Sequence, residues 1–94
     1  DVTVAVADPS GASLFNHYTR GELAPTEGGS IIEGVGIGHI TDNVAAARVD
    51  NAFHISDEEA LPYIFHLLRS EGLCLGGSSG INIAGAVRLA ALKG

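Results

Sequence analysis

The chain predicts an α/β fold built on a parallel sheet. Three observations point there. Short apolar, β-branched segments alternate with amphipathic helical ones, in the order strand, loop, strand, helix, strand, helix. Hydrophobic residues make up 46% of the chain and aromatics only 5%, the signature of an aliphatic Ala/Val/Ile/Leu core. Cap and turn residues separate the segments. With 94 residues the chain makes at most one smallish domain, which buries roughly 60–65% of its unfolded surface.

Residues 2–7 come first. Val2, Val4 and Val6 alternate with Thr3, Ala5 and Ala7, which suits a strand buried on both faces. Asp8-Pro9-Ser10-Gly11 stops it with consecutive turn residues. From residue 12 to 38 no period holds for long, although Leu14, Phe15 and Tyr18 fit one helical turn. A loop of that length is usually functional or poorly ordered. Thr41-Asp42-Asn43 starts a short helical turn through Ala47. Residues 50–55 read as a second strand.

Ser56 and Glu59 then form a capping-box signature, with Asp57 and Glu58 suiting the helix dipole. Leu61, Ile64, Phe65, Leu67 and Leu68 give this helix its apolar face, and Gly72 stops it. Pro62 removes a helical hydrogen bond, so a bend or a ragged first turn is expected. Residues 73–75 read as a short third strand. The last helix is expected from about Ser79 to Lys93, burying Ile81, Ala84, Val87, Ala91 and Leu92.

Charge and cysteine count exclude several function classes. Five basic against eleven acidic residues give a net charge of −6, which disfavours nucleic acid and anionic membrane surfaces. No apolar run approaches bilayer-spanning length. One cysteine rules out an internal disulfide; Cys74, between two leucines, is expected to be a buried, reduced thiol. A cytosolic setting fits. No His/Cys/Asp/Glu spacing matches a metal site. His17, His54 and His66 read as structural or surface residues.

The segment Gly76-Gly77-Ser78-Ser79-Gly80 carries the most chemistry. Glycines allow a sharp turn and a close approach, and the serines fall where a helix start leaves backbone N–H groups unpaired. Such a turn is a polar cradle for a ligand atom. Its order is not the hydrolase G-x-S-x-G, and no histidine follows it. Asn82 either caps or reaches the ligand. A second motif, Ile32-Glu33-Gly34-Val35-Gly36-Ile37-Gly38-His39-Ile40, is G-x-G-x-G and not the dinucleotide fingerprint. It reads as a flexible loop, or as a wall that lets backbone approach a flat ligand.

Taken together, Glu33-Gly34-Val35-Gly36, an acid-capped helix, Glu71-Gly72-Leu73 and the 76–80 turn resemble the C-terminal part of fold-type II pyridoxal-phosphate enzymes. The nearest branch is the cysteine synthase and cystathionine β-synthase group. Val4-Ala5-Val6-Ala7-Asp8-Pro9-Ser10-Gly11-Ala12 fits that family's strand and turn, so the resemblance spans essentially the whole chain. It implies part of a three-layer, parallel-sheet domain of the tryptophan synthase β-like kind.

The resemblance also implies pyridoxal 5'-phosphate as cofactor, with Ser78 hydrogen-bonding its ring nitrogen and Gly76, Gly77 and Gly34 beside it. Val35, Gly36 and His39 would line the substrate pocket. A neutral hydroxyl does not favour a charge on the ring nitrogen as a carboxylate does, which suits loss of a β-substituent. A small amino-acid substrate, a homodimeric parent and a cytoplasmic location follow from the same resemblance.

The departures are equally informative. The lysine that anchors the cofactor as a Schiff base, the phosphate-gripping loop and the substrate-carboxylate segment have no counterpart here. Lys93, the only lysine, aligns with no anchoring position. The 94 residues are therefore expected to be the C-terminal portion of a catalytic domain, inactive alone. The loop ends Gly38-His39-Ile40 where many relatives have an aromatic residue followed by isoleucine and proline, which leaves substrate preference open. Two other readings stand beside this one: a non-catalytic α/β module holding a small anion at the 76–80 turn, and an interaction domain using exposed aliphatic strands.

Overall fold

A computed structural model describes residues 2–22, 24–32, 35–38 and 41–93. Strand β1 (Ala5–Pro9) is followed by helices α1 (Leu14–Arg20) and α2 (Asp42–Ala46). Strand β2 (Asn51–Ile55) and helices α3 (Asp57–Glu71) and α4 (Gly77–Lys93) complete the order. The two strands pair in parallel, with Ala5 opposite Asn51 and Pro9 opposite Ile55. A parallel pair needs a long crossover, which the loop and helices between the strands supply.

Side chains alternate between the faces of a strand, and this places the helices. On one face, Ala7 packs so closely against α4 that a Cβ on Gly85 would lie 2.8 Å from its own Cβ. On the other face, the next residue pair is Asp8 and His54. Asp8 accepts a hydrogen bond from the Phe15 N–H of α1 (3.0 Å), and the Phe15 ring lies 5.8 Å from His54. Helices thus cover both faces of the pair, as the predicted α/β class requires. Ile55, Ala60, Ile81 and Ala84 are fully buried, with Ala7, Ile32, Phe53 and Tyr63 packed against them.

The local signals for α2 and α3 are met by observed bonds. Thr41 caps α2 by accepting from Val44 N–H, and Ser56 caps α3 by accepting from Glu59 N–H at 3.3 Å. Gly72 ends α3 in the left-handed conformation, at φ 68°. The Glu59 carboxylate accepts from Arg88 of α4 at 2.8 Å and so ties the two helices together. Helix α3 runs unbroken through Pro62, and its first turn is regular.

Four further expectations are corrected here. Strand β1 starts at Ala5, not at residue 2: Val2 is 77% exposed, and the N–H of Val4 is held by the Asp50 carboxylate at 2.8 Å. Residues 73–75 form no strand, because the described sheet contains only β1 and β2 and offers them no ladder partner. Cys74 is consequently exposed rather than buried. On α4, Val87, Ala91 and Leu92 are exposed; the buried side is Gly80, Ile81, Ala84 and Gly85, where α3 and β1 pack.

Asp8, expected in the turn that stops β1, lies inside the strand opposite His54, and Pro9 is its last residue. Asp8 is 1% exposed and serves α1 as a cap, which Ser13 does not. Burial raises its pKa above the ordinary 3.8, against the lowering by the Phe15 and Leu14 N–H groups and by His54. A raised carboxyl contributes stability that is full below 3.8 and lost as pH rises through the raised value. Asp8→Asn keeps an acceptor for α1 and removes the buried charge. Its melting temperature relative to wild type is expected to climb from pH 4 to pH 7, and Asp8→Ala, which also loses the acceptor, should lie about 1 kcal/mol below Asp8→Asn at every pH.

Candidate functional site

Helix α4 begins two residues earlier than the serines suggest. Gly77 is already helical and Gly76 precedes it, so Ser78 and Ser79 sit in the first turn rather than at the cap. The N–H of Ser79 donates to the Gly76 carbonyl at 3.1 Å. Ser78 is half-buried. It lines an open cleft of about 420 Å³ with Gly76, Gly77, Ile31, Ile32 and Leu61, within the roughly 300–1,000 Å³ of small-molecule sites.

The two glycines have different duties. A Cβ on Gly77 would lie 2.9 Å from Ile32 Cγ1, so the missing side chain lets the loop pack onto the helix start. Among the described residues, nothing lies within 4 Å of a Cβ position on Gly76. Ile31, Ile32 and Leu61 make the remaining walls apolar.

Val35 and Gly36 are placed elsewhere. They line a neighbouring cavity of about 420 Å³ beside Ser10, Gly11, Gly28 and Gly29, and Ile32 borders both spaces. Gly36 has φ 90°, and a Cβ there would lie 2.7 Å from the Ala12 Cβ. It packs the loop onto the turn after β1. Gly34 and His39 lie outside the described residues.

Two contacts near these cavities escaped the sequence reading. Ser10 Oγ and His54 Nε2 are 2.8 Å apart, joining the turn after β1 to β2. Asp57 binds Ser30 and the N–H of Ile31 across the start of α3. Neither spacing follows a local pattern: the pairs are 44 and 27 residues apart along the chain. Among the described residues, no three His/Cys/Asp/Glu side chains gather as a metal site, and no helix is long and apolar enough to cross a membrane.

The described residues form a small α/β unit with a parallel two-stranded sheet, compatible with the expected class. No protein-family model matches the chain. Individual proteins do. Over 101 residues it is 38% identical to cysteine synthase 2 of Schizosaccharomyces pombe, covering 95% of this chain and 26% of that protein. It is 40% identical over 88 residues to cysteine synthase 1 of Emericella nidulans, covering 90% of this chain and 24% of the other. With cysteine synthase 1 of Neurospora crassa the identity is 39% over 92 residues, 95% of this chain and 24% of that one. The chain belongs to the cysteine synthase family. It spans about a quarter of the length of the curated relatives it matches.

Proposed function

We propose that this chain is the C-terminal portion of the catalytic domain of a pyridoxal 5'-phosphate enzyme of sulfur amino-acid metabolism. The whole protein would carry out β-replacement or β-elimination on O-acetylserine, serine or cysteine, as a cytoplasmic homodimer. The observation that carries this reading is the half-buried Ser78 on an open cleft that Ile31, Ile32 and Leu61 also line.

The residues present fit the cofactor. Ser78 would hold the ring nitrogen, with Gly76, Gly77 and Gly34 close to the ring. Ile31, Ile32 and Leu61 would keep water from its faces. Val35, Gly36 and His39 would shape the substrate side. When bound, pyridoxal phosphate supplies the electron sink for departure of a β-substituent. A hydroxyl is neutral, so Ser78 would stabilise no extra proton on the ring nitrogen. The anion-binding alternative draws on the N-terminus of α4, but no basic side chain lines the cleft among the described residues.

The test is spectroscopic. The full-length protein, mixed with pyridoxal 5'-phosphate, should acquire a protein-bound visible absorbance that changes on adding O-acetylserine, serine or cysteine. A full-length protein that takes up no cofactor ends this reading.

A further inference from the structure

The cleft beside Ser78 has a wall made from loop backbone, and one side chain holds that wall. Asp57 Oδ1 accepts from Ser30 Oγ at 2.5 Å, and Oδ2 accepts from the Ile31 N–H at 2.9 Å. Ser30 Oγ in turn accepts from the Ile32 N–H at 3.0 Å. Both carboxylate oxygens and the intervening hydroxyl are thus committed to residues 30–32, in a chain of bonds that polarise one another. Ile31 and Ile32 line the cleft, and Ile32 is the residue packed onto Gly77. Leu61, one helical turn beyond Asp57, belongs to the same face of α3 and lines the same cleft.

We infer that Asp57 is a positioning residue: it fixes the 30–32 loop as the wall against which a flat ligand in the Ser78 cleft is held. An acid in the first turn of a helix is usually explained by the helix dipole. Here its two oxygens point to the loop as well, and the loop has no regular secondary structure to hold it in place. Removing the carboxylate leaves the helix capped by Ser56 while freeing the wall.

This inference rests on the cofactor reading, and the experiment separates the two. Apo full-length protein is titrated with pyridoxal 5'-phosphate, the dissociation constant is read from absorbance, and the melting temperature of the apo form is recorded alongside. Asp57→Ala should weaken cofactor binding about tenfold, the scale of a charge-assisted hydrogen bond. Ser30→Ala should weaken it in the same direction, and Ser30→Thr, which restores the hydroxyl, should recover it. The double variant should lose little more than Asp57→Ala alone, because the two groups act as one unit. If Asp57→Ala fails to fold, the Ser30 pair carries the test. Wild-type protein that binds no cofactor overturns the functional reading, and this inference with it. Wild-type protein that binds, beside Asp57 and Ser30 variants that bind equally well, overturns the inference alone. Loss of affinity only in proportion to lost melting temperature, with no recovery in Ser30→Thr, also overturns it.

Discussion

Replacing Gly80 by valine is expected to give the largest loss of stability of any single change in this segment. Gly80 is buried where α4 crosses α3. A Cβ there would lie 2.7 Å from the Ala60 carbonyl oxygen and 2.8 Å from Ile64 Cδ1. The Ile64 tip can rotate away, but the Ala60 carbonyl is helix backbone and cannot move without displacing α3. Ala60 and Ile81 are fully buried at the same contact, so the displacement opens the core. Overpacking of this kind costs about 1–3 kcal/mol, and valine's second branch places the effect at the upper end. Even Gly80→Ala should destabilise, although alanine gains about 1 kcal/mol in helix propensity over glycine. Gly76→Ala, with nothing among the described residues within 4 Å of its Cβ, is the matched control. Urea midpoints of the full-length variants check this: Gly80→Val should fall well below wild type, with Gly76→Ala within about 0.5 kcal/mol of it. Equal midpoints would show that the two helices do not meet as closely as described.

Ser78→Ala is expected to have the largest effect on activity. The substitution removes one hydroxyl from a half-buried position and leaves the helix start intact, because the first-turn bond there runs from the Ser79 N–H to the Gly76 carbonyl. Alanine is also a better helix former, so folding should not suffer. A net hydrogen bond is worth about 1 kcal/mol, and turnover of the full-length enzyme should fall about fivefold while the cofactor absorbance persists. Loss of the absorbance would make Ser78 a cofactor anchor instead. Unchanged turnover would remove Ser78 from the site. The two variants separate cleanly: Gly80 is judged by stability and Ser78 by rate at constant stability.

What could be read from the residues alone was local. Ser56 and Gly72 mark the ends of α3 because a cap and a stop are decided by neighbours within one turn, whereas the Glu59 carboxylate of the expected capping box goes to Arg88 instead. Thr41 announces α2 for the same reason. The strand at 51–55 follows from its apolar pattern. Gly76, Gly77 and Ser78 alone read as a turn and a cap as readily as a site, and only their order and spacing with Glu33-Gly34-Val35-Gly36 singled them out; the structure places all three on one cleft.

What needed the tertiary structure was every decision that depends on a partner far along the chain. Residues 73–75 carry a strand-like pattern, but a strand exists only where a ladder receives it, and the described sheet offers none. Val87 and Leu92 are apolar at helical spacing, yet burial goes to Gly80, Ala84 and Gly85, because small residues admit the close approach of α3 and β1. Asp8 and Asp57 read as turn and helix-start acids; their actual acceptor roles lie with Phe15 and with Ser30 and Ile31. Hydrogen-bond chemistry is written in the residue type, whereas the donor a carboxylate meets is set by how the chain folds back upon itself.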